Sequence, residues 1–213
     1  LFDALPIRQL ILEADGWHEV RVDLDAHGRL CLGRTDELSG LTGSLDREAS
    51  LAGLAPGSVI ELSPARDAMM EELAQRLRDQ GGMALIIDYG ELEPTPGSTL
   101  QAVSGHRKVG PLSRPGEVDL SSRVAFGPLA RGAAALGLTV YGPVPQGAFL
   151  SRLGADLRLE QLVRGASPAT AERLRGGHRR LTAADAMGEL FKVLAVCQWP
   201  LMPPGFVPEE MLR

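Results

Sequence analysis

The residues best suited to chemistry are Asp88, Tyr89 and Gly90, where the apolar run Ala84-Leu85-Ile86-Ile87 stops. A carboxylate and a phenol followed by glycine put two polar side chains on a sharp turn. The segment from Gly97 through Ser98, Thr99, Leu100, Gln101 and Ala102 to His106 adds further donors and acceptors. In open α/β sheets ligands collect outside the carboxyl ends of the strands, so this strand end and this segment are the expected functional face. Asp and Gly also turn chains well, and spacing alone leaves a site and a plain turn as equal readings.

The elements that must position these residues follow from periodicity. The run 84–88 follows Gly81-Gly82 and reads as a strand buried on both faces. Val59-Ile60-Glu61-Leu62 is a second strand, and Ser63-Pro64 starts a helix to about Gln80, with Met69, Leu73 and Leu77 in one stripe. Strand, helix and strand with tight connections predict a βαβ unit with parallel strands. Trp17 to Leu24 alternates, Asp25 to Gly28 turns, and Arg29 to Leu32 resumes, which predicts a hairpin over 17–33 at a sheet edge. One face of it should be buried, with His18 and His27 on the surface or in the turn. Residues 34–57 read as a loop, and 91–121, with four prolines and little periodicity, as a long loop of functional or disordered character. Ser121 or Ser122 should cap a helix to Leu136 with Val124, Leu129 and Ala133 inward. A strand at 138–141, helices at 146–153, 157–165 and 168–180, and a last strand at 190–197 complete the pattern.

Composition limits the function. The 213 residues, 44% hydrophobic, suit one large or two small domains with a real core. A net charge of −5 without a long basic stripe argues against a dedicated nucleic-acid binder. Arg173, Arg175, Arg179 and Arg180 cluster, but Glu172 sits among them, and they read as a solvated helix face. Cys31 and Cys197, with the scattered His18, His27, His106 and His178, make no metal-type spacing. Reduced thiols in a cytosol-like compartment are expected. No apolar run approaches the ~20 residues of a membrane span. Leu1 is not a methionine, so the chain is expected to begin inside a longer gene product.

A succession of motifs then points to a family. Leu1-Phe-Asp-Ala-Leu-Pro6, Leu85-Ile-Ile-Asp-Tyr-Gly90, Thr99-Leu-Gln-Ala102 with His106, Gly116-x-x-Asp119-Leu120 with Val124 and Phe126, Gln146-Gly147-x-Phe149-Leu150 and Met187-Gly188-x-x-Phe191-Lys192 occur in this order. Together they resemble the MidA family, whose mitochondrial members are protein-arginine methyltransferases that assist assembly of respiratory complex I. The resemblance implies an α/β, class I methyltransferase fold. That fold is a mostly parallel sheet flanked by helices, here with the hairpin 17–33 inserted and a helical extension at 155–188, so that 1–213 is the C-terminal larger part of one domain. Two departures stand out. Arg123 occupies a position where the family usually carries histidine. The family's glycine-rich cofactor loop and its Asn-Glu pair lie upstream of Leu1, so cofactor-binding residues for S-adenosylmethionine are expected outside this stretch.

What the resemblance implies about chemistry is methyl transfer to an arginine of a partner protein. A guanidinium stays protonated below pH ~12 and must be held in line and give up its proton. Carboxylates bidentate to its fork can hold it. Asp88 and Asp3 are the candidate catalytic carboxylates and His106 the candidate proton acceptor, its ordinary pKa lying near ~6.5. Tyr89, Gly90, Thr99, Gln101, Asp119, Gln146 and Glu61 are the candidate substrate-binding residues. The expected partner is a protein, with a complex I subunit and a second copy of the chain as options; nucleic acid and membrane insertion are not expected. The location is cytoplasmic for a bacterial-type chain, mitochondrial in eukaryotic relatives. The alternative is a non-catalytic assembly module that keeps the fold for docking, and the chain alone is expected to be inactive.

Overall fold

The computed structural model describes residues 1–38, 53–199 and 202–212. They divide into two compact units, 1–66 with 94–123 and 67–93 with 124–213.

In the first unit, β1 (Arg8–Glu13), β2 (Gly16–Leu24), β3 (Leu30–Leu38) and β4 (Val59–Leu62) form an antiparallel sheet in the order β3-β2-β1-β4. Asp25 closes the β2–β3 turn by accepting the amides of His27 and Arg29 at 2.8 and 3.0 Å. Leu10 and Trp17 are fully buried against Leu12, Leu54, Ile60 and Leu62. The hairpin exists, but its strict alternation does not. Trp17 and His18 are both buried, whereas Val22 and Leu24 are 55% and 60% exposed. The reason is overhang: β1 pairs with β2 only from Gly16 to Val20, so the far end of the ribbon has no third strand beside it. β3 also runs through 34–38, where a loop was expected; residues 39–52 of that expected loop lie outside the described residues.

The expected long loop 91–121 folds as well. β6 (Gln101–Ser104), β7 (Arg107–Val109) and β8 (Asp119–Ser121) make a second antiparallel sheet, ordered β7-β6-β8. Gly105 and His106, with φ of 54° and 62°, form the two-residue turn between β6 and β7, the twist that short hairpins favour. Strands of three and four residues are too short to show a period of two, which is why this sheet left no trace in the sequence pattern.

The boundary between the units falls within α1 (Pro64–Gln80), whose Met70, Ala74 and Leu77 are buried. The second unit continues with β5 (Met83–Glu91), β9 (Val124–Ala125), α2 (Phe126–Ala135), β10 (Thr139–Pro145), α3 (Gln146–Arg152), α4 (Ala155–Arg164), α5 (Pro168–Thr182), α6 (Met187–Leu190) and β11 (Phe191–Cys197). Its sheet is ordered β10-β11-β5-β9, with β5–β9 parallel and the other two ladders antiparallel. The α/β class therefore holds, with mixed pairing among the described residues. Val140, Tyr141 and Val193 to Cys197 are buried, and Phe149 and Phe206 pack on Tyr141, Val144 and Val193.

Three expectations change here. β4 and β5 do not pair as a parallel βαβ unit. β4 belongs with β1 in one sheet and β5 with β11 in another, because β1 offers β4 an antiparallel ladder of four residue pairs. The hairpin accordingly extends the sheet of β1 and β4. β5 is not buried on both faces: Met83, Leu85 and Ile87 are 51%, 45% and 46% exposed, while Ile86, Asp88 and Gly90 are buried. Finally, neither Ser121 nor Ser122 caps a helix. α2 starts later, at Phe126, without a side-chain cap, although Val124, Leu129 and Ala133 are buried as expected.

Candidate functional site

Glu61 sits on β4 opposite Gln9 on β1, and its carboxylate organises the polar part of the first unit. One oxygen accepts Gln9 Nε2 at 2.8 Å and the backbone amides of Thr99 at 2.9 Å and Leu100 at 3.3 Å. The other accepts the Thr99 hydroxyl at 2.5 Å. The Thr99 oxygen in turn accepts the Arg123 amide at 2.9 Å, and Gln9 also donates to Ser98 Oγ at 2.7 Å. Gly97 N donates to the Val59 carbonyl at 2.7 Å. Residues 97–100 are thus laced to β1 and β4 by one carboxylate and one amide side chain.

Arg66, at the start of α1 and buried, does the same for the chain start. Its Nε donates to Phe2 O at 2.8 Å, Nη1 to Arg123 O at 2.7 Å, and Nη2 to Ser122 O at 3.0 Å, Ser122 Oγ at 2.7 Å and Asp3 O at 3.4 Å. Ser122 N closes the ring on Asp3 O at 2.9 Å. The backbone of Asp3 is therefore fixed, and its side chain is half-buried.

In the second unit β5 runs on to Glu91, so the turn expected at Asp88 to Gly90 is not formed. Asp88 is buried within the strand, in register with Lys192 of β11, and its Oδ1 accepts the Tyr89 amide at 2.9 Å. The Tyr89 ring leans on Phe191 with centroids 6.1 Å apart. Gly90 pairs with Val124 so closely that a Cβ would fall inside the Val124 carbonyl, so glycine is required there. Gln146 is buried at the start of α3 and donates to Leu181 O at 2.8 Å, tying α3 to the end of α5.

The structure thus brings Glu61 and Thr99 into direct contact and keeps Asp88, Tyr89 and Gly90 contiguous. Gln101 lies on β6 opposite Ser121, Asp119 is exposed on β8 opposite Val103, and His106 is exposed at a hairpin tip. Sequence reasoning missed Gln9, Arg66 and Ser122. Arg66 had a legible signal, because it falls four residues before the buried Met70 on the inward stripe of α1. Gln9 had one too, as an amide inside the apolar stretch Ile7 to Leu12.

Two charged groups of the first unit are shifted from their ordinary titration. Hydrogen bonds from Arg8 and Arg21, both at 2.7 Å, hold Glu19 down to about 2. His18, placed in a surface or turn role by its sequence, is buried. Its Nε2 lies 3.0 Å from Asp15 Oδ1 and its Nδ1 2.7 Å from Thr35 O, and these two acceptors raise its pKa. Buried polar groups keep their partners, and His18 is satisfied on both ring nitrogens.

Among the described residues no glycine-rich turn follows a parallel strand and opens a helix with free amides. In the parallel pair β5–β9, β9 runs directly into α2, and the Gly127 amide at that helix start is already given to Leu92 O at 2.6 Å. These residues do not form a cradle for a nucleoside-bearing cofactor. No helix among them is long and apolar enough to cross a membrane.

Comparison with known proteins gives the same outline. A family model of S-adenosyl-L-methionine-dependent methyltransferases matches residues 1–144. The protein arginine methyltransferase NDUFAF7 homolog, mitochondrial, of Drosophila melanogaster is 37% identical over 206 residues, covering 92% of this chain and 45% of that protein. The Xenopus tropicalis protein arginine methyltransferase NDUFAF7, mitochondrial, is 35% identical over 201 residues, covering 92% and 44%. The chain spans less than half the length of these relatives. A crystal structure of a COG1565 superfamily protein from Burkholderia thailandensis superposes with a TM-score of 0.79 at 24% identity, covering all of this chain and 57% of that one. A second, from the same organism and bound to S-adenosyl-homocysteine, gives 0.77 over 98% and 56%.

Proposed function

The chain belongs to the S-adenosyl-L-methionine-dependent methyltransferase family, and from that premise we propose that it is the substrate-facing part of an enzyme methylating arginine in a partner protein. The observation that carries this reading is the match, over 92% of the chain, to relatives named protein arginine methyltransferases. A buried carboxylate in the last third of β5 supports it, because a desolvated anion can hold a guanidinium fork.

In this reading Asp88 holds the substrate guanidinium and Tyr89 and Gly90 shape the approach to it. Glu61 is a positioning residue, since both of its oxygens are spent on Gln9, Thr99 and Leu100. Asp3, Gln101, Asp119 and His106 line the substrate side of the first unit, and Gln146 keeps α3 in place. We place the cofactor's own binding loop outside the described residues. A respiratory complex I subunit is the substrate to test first, in the cytoplasm of a bacterial cell or in mitochondria. The rival reading is a non-catalytic docking module that retains the fold.

The test is methyl transfer by the full-length parent protein from radiolabelled donor to partner protein. Asp88→Asn keeps shape and loses charge. Losing a charged hydrogen bond is worth roughly 1.5–3 kcal/mol, so the rate should fall about 10- to 100-fold while the melting temperature stays within a few degrees. Equal rates, or a melt that collapses with the rate, return Asp88 to the role of a structural strand residue. No label transfer by the intact parent to any arginine-bearing partner favours the docking module.

A further inference from the structure

The hairpin of α4 and α5 carries charge of the opposite sign to the chain. Residues 155–182 hold six arginines against three carboxylates, in a protein of net charge −5. Several arginines elsewhere are paired with carboxylates: Arg8 and Arg21 with Glu19, Arg29 with Asp25, Arg131 with Glu93, Arg152 with Glu210. On α5 only Arg179 is, with Asp185 at 2.6 Å. Arg173, Arg175 and Arg180 make no hydrogen bond or ion pair with any described residue.

Two of these share a face. Arg173, Gly176, Gly177 and Arg180 fall at i, i+3, i+4 and i+7, and all four are exposed. The inward face is a different one, with Ala171 buried and Leu174 and His178 half-buried; His178 Nε2 lies 3.1 Å from Asp156 of α4, without hydrogen-bond alignment. Glu172 points about 100° away from the arginines. Glycine is the poorest helix former after proline, yet a Cβ at Gly176 or Gly177 would meet nothing within 4 Å. The packing of this chain therefore does not call for either glycine. What they leave is a flat saddle between two guanidiniums with no counter-ion.

We propose that this face of α5 docks an extended acidic segment of a partner protein. Seven residues of helix set the two arginines about 10.5 Å apart along the axis. An extended chain in the polyproline II conformation turns once every three residues and rises about 3.1 Å per residue, so carboxylates three residues apart lie on one side of it, about 9 Å apart. The glycine saddle lets the segment's main chain come in close while each carboxylate takes one fork. Nucleic acid is the poorer fit, because residues 155–182 contain no aromatic side chain on which a base could stack. This proposal concerns partner docking and stands apart from the methyl-transfer reading.

Fluorescence anisotropy of the full chain tests it. The probe is a labelled twelve-residue peptide with aspartates at every third position among serines and glycines. The control peptide has the same composition with its aspartates contiguous. Expected is saturable binding that weakens about tenfold between 50 and 200 mM salt and is at least fivefold tighter for the spaced peptide. The pair R173E and R180E should abolish it, whereas R175E, on another face, should leave it within twofold. Gly176→Leu with Gly177→Leu should weaken binding at least fivefold while raising the melting temperature, a combination that misfolding does not give. Retained binding in the Arg173/Arg180 variant, no discrimination between the peptides, or tighter binding to anionic vesicles or a single-stranded oligonucleotide would overturn the proposal.

Discussion

Glu61 and Arg66 make the sharpest demands on single side chains. Glu61→Ala leaves the Thr99 and Leu100 amides and Gln9 without their acceptor, and unfolding in denaturant should show a loss of about 2–3 kcal/mol. Glu61→Gln should recover part of it, because an amide oxygen still accepts. Arg66→Met fits the hydrocarbon but strands the carbonyls of Phe2, Ser122 and Arg123, and should cost about 3 kcal/mol or more. The tuned groups predict opposite pH effects. Glu19 is held to about 2 by Arg8 and Arg21, below the unfolded value near ~4.3. Its contribution is complete above the unfolded value and disappears as pH falls through about 2, so wild type and Glu19→Gln should converge in stability in that window. His18 is raised, so its contribution is complete below ~6.5 and fades as pH rises through the folded value. Titration of the His18 ring by NMR would check the direction. Neither Glu61 nor Arg66 announced its partners in the sequence, since hydrogen bonds 38 and 57 residues long leave no local pattern.

Elements with long periods were legible, and short ones were not. Helix α1 was bounded by its Ser63-Pro64 start and its glycine end, because caps and breakers are local chemistry. β6, β7 and β8 were hidden by their length. β4 was recognised as a strand but given the wrong neighbour, since a tight strand-helix-strand spacing says nothing about competing partners such as β1. β5 was recognised too, but its exposed face was not, because a continuous apolar run looks the same whether one face or both are covered. The apolar row Met83, Leu85 and Ile87 predicts self-association. Ile87→Lys should shift sedimentation of the 213-residue chain toward monomer at tens of micromolar with the melting temperature within a few degrees. Unchanged sedimentation would show that the row is covered another way.

For the molecule as a whole, the α/β methyltransferase class was readable from six short motifs in order, none of which specifies a fold alone. At the candidate site the strand leading to Asp88 was readable, whereas the turn expected at Asp88 to Gly90 was not formed, because Gly90 and Glu91 pair on with β9. Because the described residues offer no glycine cradle, calorimetric titration of the 213-residue chain with S-adenosylmethionine should show no saturable heat at micromolar concentrations, and the full-length parent should show it. Micromolar one-to-one binding by the chain itself would mean that another element serves the cofactor. β5 has one more consequence, for the clock of solvent exchange. Its residues Met83 to Tyr89 are laddered to β11, but its other edge meets β9 only at Gly90 and Glu91. Strand amides alternate between the two edges, and the Tyr89 amide is given to Asp88 Oδ1 and not to β11. The amides in phase with it, at Leu85 and Ile87, should therefore trade their protons for deuterium within seconds, while those of Ile86 and Asp88 hold theirs far longer, so that a single strand records two different lifetimes residue by residue.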